Sequence, residues 1–205
     1  MSGPAISTGQ PFAFTPENRE RSERIIARYP AGRQHSAIIP LLDIAQRQNG
    51  GWLSREAIEY VAALLSMAPI RALEVATFYT MFNLQPVGRY LIQVCRTTPC
   101  WLRGSDDLTA TCKRKLGVGL KELTPDGLFS VMEVECLGAC VNAPVVQVND
   151  DLYEDLDPQR MEALLDAFAR GEKPPHGSQI GRQNSAPDGP WTSLTAARTP
   201  TAGDD

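Results

Sequence analysis

Four cysteines in two short pairs constrain this chain more than any other feature of it. The first pair is Cys95-Arg-Thr-Thr-Pro-Cys100 and the second is Cys136-Leu-Gly-Ala-Cys140. Each follows an apolar, β-branched run: Tyr90-Leu-Ile-Gln-Val94 before the first, Leu128-Phe-Ser-Val-Met-Glu-Val134 before the second. Runs of this kind predict buried strands, and two such strands can deliver two thiol-bearing loops to one place. Four thiolates converging in a reducing compartment predict a metal centre, either iron–sulfur or zinc. The candidate ligands are therefore Cys95, Cys100, Cys136 and Cys140.

The fifth cysteine, Cys112, shares a helical stripe with Leu108 and Leu116 and reads as a small core hydrophobe. Five cysteines in 205 residues do not make a disulfide scaffold. A thioredoxin-type redox pair needs two residues between its cysteines, whereas these pairs enclose four and three. Spacing alone leaves four-cysteine zinc and iron–sulfur both open, and neither common ferredoxin run is present. The two histidines, His35 and His176, lie far from both loops in sequence, which excludes a Rieske-type centre. Gly138 leaves room for a backbone amide to approach a sulfur.

A formal charge of −4 and the lack of a Lys/Arg-rich patch argue against a nucleic-acid partner. The N-terminus has neither the basic and apolar regions of a secretory signal nor the Arg-rich look of a transit peptide. The apolar stretches are too short to span a bilayer, so a cytosolic, reduced protein is expected. Residues 1–14 are small, polar and punctuated by Pro and Gly, and are expected to be disordered. Four amphipathic segments follow over 15–86 and predict a small helical bundle. Thr15-Pro16-Glu17 opens the first, which should run to about Tyr29. The second begins near Ser36 and ends at Gly50-Gly51, and Ser54 caps the third. The fourth, about 71–82, carries Leu73, Val75, Phe78, Tyr79, Met81 and Phe82.

The period changes at Pro86-Val-Gly88. Over 87–171 the expected order is strand 90–95, a helix capped by Ser105, strand 128–135, a hairpin about Asn149-Asp-Asp151, and a helix opened by Asp157-Pro158. That β-α-β-β-α order is a small thioredoxin-like α/β layer. From Glu172 onward Pro, Gly, Ser, Thr and Asn dominate, predicting a tail over 172–205 that is disordered on its own.

The stretches Val75-Ala-Thr-Phe-Tyr-Thr-Met-Phe82, Pro86-Val-Gly88, Cys95 to Cys100 and Glu135-Cys-Leu-Gly-Ala-Cys-Val-Asn-Ala-Pro144 resemble a family of NADH-quinone oxidoreductase subunits. This family is the thioredoxin-like ferredoxin subunit of respiratory complex I, the flavoprotein-2 type in mitochondria. The resemblance runs from about Thr15 into the tail and includes Tyr153-Glu-Asp-Leu156 and Gly177-Ser-Gln-Ile-Gly-Arg182. It implies an α+β or α/β chain: a helical bundle, then a thioredoxin-like 2Fe–2S domain, then the tail. It also implies that Cys95, Cys100, Cys136 and Cys140 hold one 2Fe–2S cluster. No G-x-G-x-x-G or P-loop occurs, since Gly117-Val-Gly119 lacks the third glycine, so no nicotinamide or flavin site is expected here.

By the same resemblance, FMN and the NADH site belong to a partner flavoprotein subunit, with which the cluster exchanges single electrons on a side branch. The chain is then an oxidoreductase subunit with no catalytic residue of its own. The lack of a transit-peptide pattern predicts a bacterial origin, with the protein at the cytoplasmic face of the membrane. Related subunits serve NAD-linked formate dehydrogenases and hydrogenases, and the third reading is a zinc-stabilised interaction module. Glu133 and Glu135 should disfavour reduction and Arg96 and Arg103 favour it. Phe78, Tyr79, Phe82 and Trp191 mark expected subunit contacts.

Overall fold

The computed structural model describes residues 5–182. The chain divides into two compact units, Met1–Ile92 with Cys112–Met132 and Gln93–Thr111 with Glu133–Asp205. Among the described residues there are seven α-helices and a five-stranded sheet.

The helical part of the first unit is built from local chemistry the sequence declares. Helix α1, Pro16–Ile26, has Thr15 as N-cap, its hydroxyl accepting from the Asn18 amide, and proline at the first position. It stops three residues short of Tyr29, and residues 27–29 form turns. A 3-10 turn, Gln34–Ala37, leads into α2, Ile38–Gln48, where Pro40 falls in the first turn and breaks no hydrogen bond. Gly50 and Gly51 end it in left-handed conformations, φ 71° and 92°. Ser54 caps α3, Arg55–Leu64, by accepting from the Ala57 amide. Helix α4, Pro69–Phe78, starts on a proline and is shorter than expected. The helices bury one core that includes Leu41, Leu42, Ile44, Leu53, Ile58, Val61, Phe82 and Leu84.

Helix α4 ends at Phe78 for a tertiary reason. Tyr79 is extended, and the segment after it is held by the end of α2. Gln46 donates to the Met81 carbonyl and accepts from the Asn83 amide, while the Asn83 side chain donates to the Gly51 carbonyl. Phe82 therefore leaves the helix and enters the core at 2% exposure, while Phe78 remains 77% exposed.

Residues 5–14 also depart from the expected disorder. Glu56, in the first turn of α3, accepts from the Ser7 hydroxyl and from the amides of Thr8 and Gly9. Phe12, Phe14 and Tyr60 meet edge to face, with centroids 5.2–5.8 Å apart. Such aromatic pairs add to the area they bury.

Strand β1 is Tyr90–Cys95, followed by a short helix α5, Thr98–Leu102, and by α6, Ser105–Leu116. Ser105 is the first helical residue rather than a cap, and its buried hydroxyl makes no hydrogen bond. Thr124-Pro-Asp-Gly127 forms the expected turn, with Gly127 at φ 72°, and leads into β2, Phe129–Val134. Strands β3, Val146–Val148, and β4, Asp151–Glu154, form the hairpin, pairing Val146 with Tyr153 about Asn149 at φ 54°. Helix α7, Pro158–Ala169, is capped by Asp157 and buries Met161, Leu164, Leu165 and Phe168.

The sheet order is β2-β1-β3-β4-β5. Its last strand, β5, is Gly177–Ser178, which pairs in parallel with Tyr153 and Glu154. Residues 172–182 are thus an ordered strap, contrary to the expected disorder from Glu172. Trp191 lies outside the described residues.

Candidate metal centre

Strand β1 and the strand-to-loop step after β2 bring both cysteine pairs to one place in the second unit. Cys95 is the last residue of β1, its amide donating to the Val145 carbonyl at 3.1 Å. Cys100 sits on α5, a single turn that Thr97, Thr98 and Pro99 of the first loop did not signal. Both are buried, at 1% exposure, among Ala143, Val145, Leu137, Ala139 and Leu152. Cys136 and Cys140 are exposed, with their sulfurs 3.5 Å apart. Cys140 begins a 3-10 turn, Cys140–Asn142.

The backbone around these sulfurs is arranged as a donor cradle. Burial pushes the Cys95 thiol up, but the hydroxyl and amide of Thr97, the Leu137 amide and a hydrogen bond with Cys100 outweigh it. The net result is a Cys95 thiol below its ordinary value. Cys100 is pushed up to about 12, by burial first and then by its hydrogen bond with Cys95, against the Val145 amide. The Gly138 amide, with Cys140 and Thr97 behind it, pulls the Cys136 thiol down. Cys140 is raised, first through its hydrogen bond with Cys136. Gly138 is needed for its conformation, φ 86°, rather than for space, because a Cβ there would meet nothing within 4 Å.

Thr97 was not legible as a site residue, yet its hydroxyl lies 3.3 Å from the Cys95 sulfur and also acts on Cys136. A hydroxyl between two candidate ligands was the available signal. Arg96 and Glu133 form an ion pair at 3.7 Å, so their opposite effects largely offset one another. Cys112 is fully buried in the first unit, with its thiol pushed up to about 12 by burial.

The donor set fits a dinuclear iron–sulfur group. Among the described residues no group of three or more His, Cys, Asp or Glu side chains is placed to hold a metal ion, so the fit rests on the two thiol pairs and the amides at their sulfurs. Two thiol pairs are the donor set that a 2Fe–2S unit would take, with Cys95, Cys100, Cys136 and Cys140 as the residues that would hold it. Amides directed at the sulfurs stabilise the thiolate form, as such a group needs.

Residues 22–169 match the family described as thioredoxin-like 2Fe-2S ferredoxin, and the chain belongs to that family. Within it, its relatives include E subunits of NADH-quinone oxidoreductase. The chain is 64% identical to the one from Rickettsia bellii over 76% of its own length and 93% of that relative. It is 50% identical to mitochondrial NADH dehydrogenase (ubiquinone) flavoprotein 2 of Dictyostelium discoideum, over 95% of this chain and 79% of that one. An NAD+-reducing NiFe hydrogenase in the air-oxidised state shares the fold. Its TM-score is 0.56 at 23% identity, over 63% of this chain and 23% of that one. No helix among the described residues is long and apolar enough to cross a membrane.

Proposed function

We propose that the chain is the one-electron carrier of an NADH-quinone oxidoreductase. In this reading Cys95, Cys100, Cys136 and Cys140 hold a 2Fe–2S cluster that exchanges single electrons with FMN on a partner flavoprotein. The observation that carries it is the meeting of four thiols as two pairs within one amide-lined pocket. When bound, the cluster supplies a one-electron acceptor and donor. Cys95 and Cys100 supply the buried side of that site, which keeps water from two of the sulfurs. Cys136 and Cys140 supply the exposed side, and an exposed edge is where an electron can leave for a partner.

A cluster of this kind takes one electron, whereas NADH delivers two as hydride, so a flavin must stand between them. The chain carries no dinucleotide fingerprint, which supports locating that flavin, and the NADH site, on the partner. Phe78, Tyr79 and Met81, exposed at 77%, 40% and 49%, offer an apolar surface on the helical unit for contact with a neighbouring subunit. In this reading the chain attaches to the membrane-bound complex through such partners, on the cytoplasmic face.

The test is visible bleaching under anaerobic conditions. Cluster-loaded chain should bleach with a strong chemical reductant and remain coloured with NADH alone. Addition of the flavoprotein with FMN should open the route from NADH. Rapid, stoichiometric bleaching by NADH without the partner overturns the reading.

A further inference from the structure

The strap ends on an arginine that returns to the second cysteine loop. Arg182 donates through Nη2 to the Val141 carbonyl at 3.0 Å, one residue past Cys140. The same nitrogen donates to Asp155 Oδ1 at 2.6 Å, and Nε donates to Asp155 Oδ2 at 3.2 Å. Asp155 keeps 6% of its side-chain exposure and also accepts from the Ser178 hydroxyl at 2.6 Å. Its own backbone is left-handed, φ 56°, which turns its amide onto the Asn142 carbonyl at 2.7 Å. Residues 141 and 142 are thus held by one arginine and one aspartate, both lying beyond the cysteine loops in sequence.

That support adds to the buried Asn142, whose side chain donates to Glu154 at 2.7 Å, and it reaches the exposed part of the loop that Asn142 does not. Cys140 is exposed and the Val141 side chain is 54% exposed, so apolar packing does not hold them. A guanidinium is suited to the task, since its planar fork can serve a carboxylate and a carbonyl at once. An ammonium is a single point and cannot do both with the same geometry.

We propose that Arg182 is a positioning residue for the cluster. It tethers the Cys140 loop through the Val141 carbonyl and supplies the counter-charge of the buried Asp155. The inference rests on the reading of Cys140 as a ligand. It makes the strap part of the redox site rather than a trailing end, and gives the Gly177-Ser-Gln-Ile-Gly-Arg182 stretch a purpose.

The test uses the full-length chain reconstituted anaerobically with iron and sulfide, as wild type, Arg182→Gln, Arg182→Lys and the double variant Asp155→Asn with Arg182→Gln. Bleaching rate under an iron chelator, midpoint potential by EPR-monitored titration, and far-UV circular dichroism are measured for each. Arg182→Gln should load fully and keep its circular dichroism. It should release iron about tenfold faster, as expected for the loss of one charge-assisted hydrogen bond. Its potential should fall, because Asp155 then adds an uncompensated negative charge near a group that must gain an electron. The double variant should recover the potential but not the release rate, since the tether is still missing. Arg182→Lys keeps the charge, so it should hold the potential and still release iron faster; it decides the matter if the Gln variant does not fold. Wild-type release and potential in a folded Arg182 variant would overturn the proposal, leaving Arg182 an anchor of the strap. Failure of the wild type itself to load iron and sulfide would instead overturn the cluster reading, and appears without any variant.

Discussion

Cys136 and Cys112 carry the same thiol into opposite chemistry. Cys136 is exposed and drawn toward the thiolate by the Gly138 amide, whereas Cys112 is fully buried and pushed up to about 12. In the cluster-free chain near neutral pH, a thiol-alkylating reagent should therefore mark Cys136 first and leave Cys112 unmarked until denaturant is added. Peptide mass spectrometry reads the order, and native labelling of Cys112 at a comparable rate would refute it. Cys112→Ala should keep full iron content at a stability cost of about 1 kcal/mol, for a small buried side chain. Gly138→Ala should cost a similar amount, about 1–2 kcal/mol, for a left-handed residue that gains a Cβ. It should also weaken cluster retention, since the amide on Cys136 must move. At this scale the sequence was readable wherever a residue acts on its own neighbours. Thr15, Ser54 and Asp157 each cap the helix they precede, and each accepts from the amide three residues on. Ser105 failed as a cap because Gly104, at φ 95°, already turns the chain and the serine starts the helix instead.

Elements were legible in their cores and not in their ends. Strand β1 falls at 90–95 as its apolar run predicts, and α7 buries the four residues on its predicted inner face. The fourth helix, residues 5–14 and residues 172–182 depart from expectation because their partners are distant in sequence. Gln46 ends α4, Glu56 holds residues 7–9, and Tyr153 and Glu154 pair with the strap. Glu56 also gives a pH dependence. Its carboxyl is held well below the usual range, first by the Ser7 hydroxyl and then by the backbone amides around it. A depressed carboxylate contributes above its unfolded value and loses that contribution as pH falls. The N-terminal segment should therefore stay protected at neutral pH and loosen below about pH 4.3, the ordinary glutamate value. Hydrogen exchange at residues 7–9 should show this, and Glu56→Gln should loosen them at neutral pH; unchanged protection in that variant would refute the anchoring. Gly88 marks a second element-scale constraint. A Cβ there would lie 2.4 Å from the Phe129 backbone, which cannot move aside as a flexible side chain can. Gly88→Ala should cost about 3 kcal/mol, the upper range for overpacking, and lower the thermal midpoint clearly.

For the whole molecule, the exposed pair Phe78 and Tyr79, with ring centroids 5.1 Å apart, should matter in assembly rather than in folding. Changing both to Ser should leave the thermal midpoint nearly unchanged and weaken binding to the flavoprotein partner. Unaltered affinity would remove this surface from the interface. Phe82 was expected to share in that surface and instead fills the helical core, so Phe82→Ala should destabilise by about 3–5 kcal/mol. The four cysteines were readable as a set because each short pair follows an apolar run, and the fold brings the two pairs together in the second unit. The Gly138 loop hinted at an amide on a sulfur, but the Thr97 hydroxyl, the Leu137 and Val145 amides and Arg182 were not legible, because each acts through a geometry that only the folded second unit creates. The most direct measurement of the central claim is metal and sulfide analysis of the anaerobically reconstituted chain, alongside single Cys→Ala variants at positions 95, 100, 136 and 140. The wild type should hold iron and acid-labile sulfide in equal amounts, about two of each per chain, and each variant should lose them. A colourless wild type holding zinc without sulfide, or full iron loading with any one of the four cysteines replaced, would contradict it.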